Sequence, residues 1–387
     1  MIFNSLSSHS SAKQIIHWGI LGTGVIAHRF AADFVHVTDG KLLAVGSRSR
    51  EKAQAFGNRF AIPRRHGSYR DLAFDPALHA VYIATPASVH KENIELCLQA
   101  GKAVLCEKPL TVNVKEAEEV IALARRNRVF LMEAMWTRFL PLIVRLRELL
   151  GQRVIGEIRH AMADLGSRVM FDPGSRVYSA ELGGGALLQK GVYLLSLLSM
   201  ILGPPTTIKN LSVLAKTGVD EDTGILLGYP TGCVAMLWCS VGIRSMRRCA
   251  IVGTKGQLII HDPIICPSSL SLRLYDGRER HHAPMAAELE TGLKARVLRF
   301  AKGSQTIRKL RERFPTLSDR LLYGIRSTTT CLPPKGEGLH YQVSEVHRCL
   351  RAGKIESEIM SLSESLSTMA TMDRIREHGE KAHAETM

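Results

Sequence analysis

A short apolar run that ends in a glycine-rich turn constrains this chain more than any other feature. The run IIHWGIL is typical of a buried strand, and it continues into GTGVIAHRF at the start of a predicted helix. Gly22, Gly24 and Ala27 form a G-x-G-x-x-A pattern, whose small residues let the backbone approach a pyrophosphate at the helix N-terminus. The alternative is a tight strand–helix connection without a ligand. If a dinucleotide binds, the expected contacts are Gly22, Gly24, Val25 and Ile26.

The end of the second predicted strand, KLLAVGSRS, indicates which dinucleotide binds. Proteins that prefer NAD usually carry an acidic residue there, which binds the ribose 2′-hydroxyl. Here the strand ends in Ser47, Arg48 and Ser49, and Lys52 follows. Because hydroxyl and guanidinium groups suit a 2′-phosphate, the sequence favours NADP over NAD. The alternative is a set of solvated charges at the start of a helix.

Predicted strands and helices alternate as far as about residue 138. Further strands are AVYIATP, KAVLCEKP and VFLMEAMW, and helical segments lie between them. This alternation predicts an α/β fold with a doubly wound parallel sheet. After a linking helix that ends at Gly151, strand-like runs predict a second, largely antiparallel sheet, and residues 337–379 return to helix. The expected parts are a disordered tail (1–14), an NADP-binding domain (15–138) and a substrate domain (139–387).

Positive charge is concentrated in one segment. The chain carries a net charge of +15, and residues 294–326 contain ten Lys/Arg against two Asp/Glu. Apolar residues near helical spacing predict a basic insertion over about 285–335, packed on the second domain with its charges in solvent. The alternative is a weak contact of residues 293–326 with an anionic membrane surface. The segment has no aromatic stacking series and no DNA-binding motif, so we expect no nucleic-acid partner.

Cysteine spacing and the N-terminus bear on metal binding and location. The eight cysteines form no Cys-x-x-Cys pair and no Cys/His cluster with zinc-ligand spacing, so we expect buried thiols and no metal. The Ser-rich N-terminus has no apolar run of signal-peptide length, and YLLSLLSMIL is too short to cross a bilayer. We therefore expect a cytoplasmic protein in a reducing compartment.

Two further stretches carry residues suited to chemistry. In C-E-K-P, Lys108 follows a predicted parallel strand, at the edge where open α/β sheets bind their ligands. It is either placed to orient a substrate hydroxyl or an exposed loop lysine. In GGGALLQKGVY, Gln189 and Tyr193 stand four residues apart and share one face of a predicted helix. The phenol can donate and accept a proton, whereas the amide beside it cannot ionise.

The order of these motifs resembles that of the Gfo/Idh/MocA oxidoreductase family. In the family's order, the chain contains WGILGTGVIA, VGSRS, VYIATPASVH, GKAVLCEKPL, MEAMWTRFLP, GGGALLQKGVY, GVDEDTGILL and IVGTKGQLII. Within the family it is most similar to the branch of dihydrodiol dehydrogenases and NADP-dependent xylose dehydrogenases. The resemblance implies a Rossmann domain with NAD or NADP and a C-terminal α/β domain on an open sheet. It also implies a homodimer through that sheet, and sugars, polyols or cyclic diols as substrates.

The resemblance also implies roles for individual residues. Lys108 matches the family's catalytic lysine, and its bond to Pro109 is expected to be cis. Tyr193 matches the acid/base tyrosine of the dihydrodiol branch, and Trp136 matches an aromatic residue of the substrate pocket. His90 equally fits a helix-face histidine without a role. The cofactor-contacting edge is expected at Ala84, Thr85, Pro86, His90 and Glu107.

Gln189 departs from the family pattern, which has an aspartate at this position, and Lys190 follows where relatives have an apolar residue. In one interpretation Tyr193 still transfers the proton, and nearby lysines favour its phenolate form. In the other, the departure marks a changed substrate, because Lys190 suits a carboxylated or phosphorylated sugar. We expect the Lys190 side chain to face a neighbouring helix or subunit rather than the phenol.

The expected function follows from these residues together. It is an NADP-dependent oxidoreductase in which Tyr193 acts as acid/base and Lys108 orients the oxygen of a sugar, polyol or cyclic trans-diol, with Gln189 and Trp136 on the substrate side. The alternative is a catalytically weakened regulator or sensor, because the resembled family includes a yeast galactose-pathway repressor that binds dinucleotide. Retention of both Lys108 and Tyr193 favours the enzyme.

Overall fold

The computed structural model describes residues 14–275 and 326–384. Its first layer is a six-stranded sheet in the order β3-β2-β1-β4-β5-β6, and every neighbouring pair is parallel. This sheet confirms the predicted doubly wound α/β arrangement. Its strands are β1 (Ile16–Leu21), β2 (Gly40–Gly46), β3 (Arg64–His66), β4 (Ala80–Ile83), β5 (Ala103–Glu107) and β6 (Leu131–Ala134).

Helices cover both faces of this sheet. Strands β4, β5 and β6 are buried at every position, which requires cover on both sides. The covering helices are α1 (Val25–Asp33), α2 (Arg50–Phe60), α3 (Tyr69–Ala73), α4 (His90–Gln99) and α5 (Val114–Asn127), and α6 (Pro141–Gly151) leads to the second domain. Short 3₁₀ turns lie at Phe34–His36, Ala87–Val89, Trp136–Phe139 and Ala180–Leu182.

Side-chain caps explain several helix boundaries. The Ser49 side chain accepts a hydrogen bond from the backbone N of Lys52 at the start of α2, and Asn113 caps α5 in the same way. Gly101, the predicted stop of α4, adopts a φ of 70°. The sequence did not predict β3 and α3, because both are short and β3 consists of polar residues.

The second layer is an eight-stranded sheet in the order β14-β13-β12-β11-β7-β10-β9-β8. Among its described strands only β7 and β10 pair in parallel, which confirms the predicted, mostly antiparallel sheet. Its strands are β7 (Ile158–Gly166), β8 (Thr207–Leu214), β9 (Asp220–Gly228), β10 (Val234–Ser240), β11 (Cys249–Gly253), β12 (Gly256–Ile260), β13 (Ser269–Leu274) and β14 (Arg326–Cys331).

The two faces of the second sheet differ. Helices α7 (Val192–Leu202) and α9 (Leu362–Ala384) pack together over one face. The other face carries apolar side chains that are about half exposed, among them Met162, Leu226 and Met236. Within the described residues, one helical segment, Ala180–Leu202, is long and apolar enough to span a membrane, but 61% of its apolar window is buried in the protein. Such burial is typical of a core helix.

Helix α8 (His340–Arg351) returns to the first domain and packs against it. The indole N–H of Trp18, on β1, donates to His347 Nε2 at 2.8 Å. At the end of α1, the Asp33 carboxylate accepts a hydrogen bond from the backbone N of His340 at 2.9 Å. These buried contacts attach α8 to β1 and α1 of the first domain.

Only the end of the predicted basic insertion falls within the described residues. There Arg326–Cys331 form β14, which pairs with β13 at the edge of the sheet. Residues 285–325 lie outside the described residues, and so does the predicted membrane contact except for Arg326. The predicted N-terminal tail also lies outside them up to residue 13.

Candidate active site

The glycine-rich turn after β1 is tightly packed against the end of β4. The Gly22 backbone N donates to Gly46 O at 2.9 Å, and Gly22 has a φ of 108°, which L side chains rarely adopt. A Cβ at Gly22 would lie 2.8 Å from Ala84 O. Gly24 begins α1 in an extended conformation, and no side chain caps the helix. The N–H groups of its first turn are therefore directed toward the cleft without a side-chain partner.

This turn forms one wall of a cavity of about 660 Å³, which we call the glycine-turn cleft. Eight of the predicted cofactor residues line it: Gly22, Gly24, Ser47, Arg48, Lys52, Ala84, Thr85 and Pro86. The sequence did not point to the other polar and aromatic residues along it, which include Thr23, His28, Arg59 and Tyr69. No Asp or Glu is among the described residues that line this cleft.

The Ser47–Ser49 segment presents hydroxyl groups and one free cation to the glycine-turn cleft. The buried Ser47 Oγ accepts a weak hydrogen bond from Ser49 N at 3.3 Å. The Ser49 hydroxyl donates to the nearby carboxylate of Glu51 at 2.7 Å and lowers the pKa of that group. Arg48 is exposed. Since Glu51 is bonded to Ser49 and does not line the cleft, the charged residues in the described lining are Arg48, Lys52 and Arg59.

A second cavity of about 480 Å³, the catalytic cavity, adjoins the first one and shares Gly24, Ala84, Thr85 and Pro86 with it. The predicted residues Val25, Ile26, His90, Glu107, Lys108, Gln189 and Tyr193 line it. It also contains five residues without a predicted role here: Arg29, Ala87, Arg176, Leu182 and Ile265. Together the two cavities form a continuous cleft at the C-terminal edge of the parallel sheet.

Lys108 and Tyr193 meet in the catalytic cavity. Lys108 follows β5, and its peptide bond to Pro109 is cis. Its Nζ donates to the backbone O of Gln189 at 3.0 Å and lies 4.7 Å from the centroid of the Tyr193 ring. Burial lowers the pKa of Lys108 to about 8, although the Glu107 carboxylate opposes the shift.

The pKa of Tyr193 moves opposite to our prediction. Burial raises the pKa of its phenol, the charge of Glu107 adds to the rise, and a hydrogen bond from Trp136 opposes it. The expectation that nearby lysines favour the phenolate was therefore wrong. The cost of removing water from the phenolate exceeds the stabilisation that the cations around it provide, so Tyr193 is a phenol at neutral pH.

Trp136 lies behind Tyr193 rather than in the wall of the cavity. Only 2% of its surface is exposed, and its indole N–H donates to the Tyr193 hydroxyl at 3.3 Å. Its place in the structure is that of a residue that orients the phenol, which differs from the predicted substrate contact.

Gln189 lies in a π-helical turn, Leu187–Gly191, that precedes α7. Its side-chain Nε2 donates to the backbone O of Gly183 at 2.9 Å and ties this turn to the glycine-rich loop before it. Its backbone O is free to accept the Lys108 bond. Wider turns of this kind recur at functional sites. The amide therefore has a structural task in addition to lining the cavity.

Lys190 also lines the catalytic cavity, which corrects the expectation that it faces a neighbouring helix or subunit. The ordinary 3.6-residue period used for that expectation does not hold in a π-helical turn, because each residue there advances by a smaller angle. Lys190 is half-buried, and burial together with the nearby Arg176 and Arg247 lowers its pKa.

His90 and Glu107 complete the wall nearest the first domain. His90 is buried, and its ring nitrogens lie 2.9 Å from Thr85 O and from Pro109 O, so it braces the loop that carries Lys108. Glu107 accepts a hydrogen bond from the Tyr82 hydroxyl at 2.5 Å. Burial raises the pKa of the Glu107 carboxyl, while Tyr82 and Lys108 oppose the rise.

Comparison with known proteins agrees with this architecture. Residues 16–135 match the model of an oxidoreductase family with an NAD-binding Rossmann fold, and residues 143–259 match the GFO/IDH/MocA C-terminal domain. The trans-1,2-dihydrobenzene-1,2-diol dehydrogenase of Homo sapiens is 32% identical over 365 residues, which cover 93% of this chain and 96% of the relative. The chain belongs to the Gfo/Idh/MocA oxidoreductase family. The Sus scrofa protein of the same name is equally similar.

Solved structures share the fold of this Gfo/Idh/MocA protein. The aldose-aldose oxidoreductase of Caulobacter crescentus, complexed with glycerol, aligns with a TM-score of 0.76 at 21% identity, covering 95% of this chain and 98% of the other. A 3-ketoreductase from Actinomadura kijaniata, in complex with NADP and TDP-benzene, aligns at 0.73 and 23% identity, covering 94% and 98%. At these identities the likeness shows the fold alone.

The family motifs of this oxidoreductase locate one side of its site better than the other. Arg176 escaped prediction because it lies in an irregular loop between β7 and the glycine-rich turn, where no periodicity or spacing singles out a residue. Within the described residues no group of three or more His, Cys, Asp or Glu side chains could hold a metal ion, and six of the eight cysteines are buried.

Proposed function

We propose that the chain is an NADP-dependent oxidoreductase that transfers a hydride between the nicotinamide and a hydroxyl-bearing carbon of a sugar, polyol or cyclic trans-diol. One observation carries the proposal. Lys108 Nζ lies against the Tyr193 ring in a cavity that opens directly into the glycine-turn cleft. A proton donor and a cation therefore stand together beside the space that fits a dinucleotide.

The residues of the glycine-turn cleft fit NADP in particular. The uncapped first turn of α1 offers its N–H groups to the pyrophosphate, and Gly24 leaves open space in front of them. Ser47, Arg48 and Lys52 would hold the 2′-phosphate. The absence of an acid from the described lining favours this phosphate over the 2′-hydroxyl of NAD.

The chain's own residues handle the proton and the oxygen, while bound NADP supplies or accepts the hydride. In reduction, Tyr193 donates its phenolic proton to the carbonyl oxygen, because its raised pKa keeps it protonated. Lys108, with a pKa of about 8, is mostly charged at neutral pH and donates a hydrogen bond to the same oxygen. Oxidation reverses these steps. Acid–base help of this kind contributes roughly 10²–10⁴ in rate.

The substrate class rests on the relatives. The human and pig relatives are named as dehydrogenases of a trans-1,2-diol, and one solved neighbour as an aldose-aldose oxidoreductase. The alternative, a catalytically weakened regulator, was suggested by Gln189. Its side chain holds the loop at Gly183 and leaves the contact between Lys108 and Tyr193 in place, which supports the enzyme.

Titration of the purified chain with NADPH and with NADH, followed by nucleotide fluorescence, tests the cofactor. We expect the wild type to bind NADPH more tightly than NADH. Arg48→Glu should weaken NADPH binding at least roughly tenfold and have little effect on NADH binding. Arg50→Glu is the matched control, since Arg50 is also exposed but does not line the cleft. Equal binding of both nucleotides, or equal effects of the two variants, would refute the choice of NADP.

We further propose that the chain forms a homodimer through the open face of the eight-stranded sheet. Met162, Met236 and Leu226 lie side by side on β7, β10 and β9, and 44–51% of the surface of each is exposed. They border an open depression of about 1250 Å³. An apolar surface of this extent is costly in water, and a second copy would cover it.

Sedimentation velocity tests the dimer. We expect the wild type to sediment as a dimer and Met236→Glu as a monomer, because the new carboxylate would be buried at the centre of the contact. Ile243→Glu, at an exposed apolar residue outside the depression, is expected to leave the dimer intact. A monomeric wild type would contradict the proposal.

A further inference from the structure

The catalytic cavity holds more positive charge than its one carboxylate can offset. Four cationic side chains line it, namely Arg29, Lys108, Arg176 and Lys190, and Glu107 is the only acid among the lining residues that the structure describes. Cations that share a small cavity repel one another, and partial burial weakens the hydration of Arg29, Lys108 and Lys190, while Arg176 is exposed. Such an arrangement is stabilised when an anion enters.

Two of the four cations are already engaged. Lys108 donates to the backbone O of Gln189 and lies against the Tyr193 ring. Arg29 forms an ion pair with Glu337. Lys190 and Arg176, by contrast, make no side-chain hydrogen bond or ion pair with any residue in the ranges 14–275 and 326–384. They are therefore the cations available to a ligand.

The backbone holds both available cations in place. Lys190 lies in the π-helical turn that Gln189 and Lys108 fasten from two sides. Arg176 lies two residues before Tyr178, which is buried and donates its hydroxyl hydrogen bond to Glu221 at 3.0 Å. A ligand would therefore meet two cations on fixed segments of backbone, so that binding orders little more than their side chains.

The two cations are also close to the reacting groups. Arg176 and Lys190 both contribute to the lowered pKa of Lys108, and Arg176 opposes the rise in the pKa of Tyr193. An anion held by them would therefore lie next to the pair that handles the proton.

The 2′-phosphate of the cofactor does not account for these cations, and the pyrophosphate has its own donors in the uncapped first turn of α1. In the proposed function, the pyrophosphate lies at the first turn of α1 and the 2′-phosphate at Ser47 and Arg48. Neither Lys190 nor Arg176 lines the glycine-turn cleft. Both line the catalytic cavity with Lys108 and Tyr193, where an anionic group on the substrate would supply counter-charge.

We propose that Lys190 and Arg176 bind an anionic group, a carboxylate or a phosphate, on a polyhydroxylated substrate, and so direct its hydroxyl-bearing carbon toward Tyr193 and Lys108. The substrate is thus a sugar acid or a sugar phosphate rather than a neutral sugar. This inference rests on the proposed function and narrows its substrate class.

Calorimetric titration of the NADP⁺-loaded full chain with two matched pairs of ligands tests the inference. D-gluconate and D-glucitol differ in one carboxylate, and glucose 6-phosphate and glucose differ in one phosphate. We expect the charged member of at least one pair to bind at least roughly tenfold more tightly, as for hydrogen bonds to charged groups. The pair that shows the preference identifies the anion.

Variants connect the preference to the two residues. Lys190→Met and Arg176→Leu should each abolish most of the preference for the anionic ligand, whereas Lys190→Arg should retain it. Thermal melts report whether each variant is folded. Lys354→Met removes one charge at an exposed lysine paired with Glu358 outside the cavity and should change nothing. Equal binding within both pairs, no binding of any probe, or a preference that survives both Lys190→Met and Arg176→Leu would overturn the inference.

NADPH binding is measured separately from the preference for anionic ligands. NADPH affinity, measured before any ligand is added, reports on the proposed function alone. We expect Lys190→Met to leave it unchanged. A chain that binds NADPH but shows no preference for anions would refute the anion site and keep the oxidoreductase.

Discussion

The two ends of the cleft are built in opposite ways. The glycine-turn cleft consists of backbone groups and of side chains such as Arg48 and Lys52, which are exposed and close to one another in sequence. The catalytic cavity brings together Lys108, Arg176 and Tyr193 from distant segments, and the pKa values of Lys108 and Tyr193 are shifted by burial. From this difference we expect cofactor affinity and proton transfer to depend on separate groups, so that each can be changed without the other.

Replacing Lys108 in the catalytic cavity should have the largest effect on activity. Lys108→Met removes the donor to the substrate oxygen, so we expect kcat to fall roughly 10²–10³-fold while NADPH affinity is retained. Steady-state kinetics with the best substrate from a panel of sugars, sugar acids and cyclic diols measures this change. Lys52→Met, at the other end, should instead raise the KM for NADPH and largely preserve kcat. If both variants changed the same parameter, the two ends would not be separable.

Substitutions at the two glycines of the turn should affect different properties, fold stability at Gly22 and NADPH binding at Gly24. Gly22→Ala places a Cβ 2.8 Å from Ala84 O at a φ of 108°, so we expect it to destabilise the fold by about 1–3 kcal/mol. At Gly24 the nearest atom is 4.0 Å from the new Cβ, so Gly24→Ala should leave stability within about 0.5 kcal/mol. The methyl group of Gly24→Ala would instead obstruct the pyrophosphate and lower the affinity for NADPH. Urea unfolding and fluorescence titration measure the two effects, and equal losses of stability would contradict the geometry.

The half-buried Lys108 should make stability depend on pH. The pKa of Lys108 is lowered to about 8 in the folded chain from an ordinary value of 10.5. Between these values the unfolded chain holds a proton on this lysine that the folded chain has lost, so stability rises with pH. Relative to Lys108→Met, the wild type should gain about 1 kcal/mol per pH unit within this window. Urea unfolding of both proteins across the window measures the difference, and a constant difference would mean that Lys108 is not buried as described.

The smallest expected effect concerns the residue behind the phenol. Trp136→Phe removes the hydrogen bond to the Tyr193 hydroxyl and keeps an aromatic ring in its place. We expect kcat to fall roughly three- to tenfold with the NADPH affinity unchanged. Trp238→Phe, on the second sheet, is the control and should have no effect. A raised KM for the substrate with normal kcat would return Trp136 to the predicted role of a substrate contact.

The same contrast explains which parts of the site the sequence could predict. The glycine-turn cleft depends on turn geometry and on residue types at short spacing, so Gly22, Gly24, Ser47 and Arg48 could be assigned before the structure. The alternation of strands and helices likewise predicted the parallel sheet, and the strand-like runs after Gly151 predicted the second, mostly antiparallel one.

The catalytic cavity could be predicted only in part. Lys108 and Tyr193 stand in motifs, but the side on which Lys190 lies depends on a π-helical turn that apolar periodicity does not reveal. Arg176 lies in an irregular loop, and only the fold brings it to the cavity. The direction of the Tyr193 pKa shift depends on how much water burial removes and on its distance from Glu107, and neither can be obtained from residue order.

We expect Tyr193 to transfer the proton of the substrate oxygen, while the glycine-turn cleft holds the cofactor. The most direct measurement compares wild type with Tyr193→Phe for turnover of NADP⁺ with the same substrate panel, together with the NADPH affinity of each protein. We predict turnover by the wild type, a rate at least roughly 10²-fold lower for the variant, and equal affinity for NADPH. Equal turnover by the two proteins would contradict the assignment of Tyr193. Tight NADPH binding by a wild type that turns over no member of the panel would favour a regulator instead.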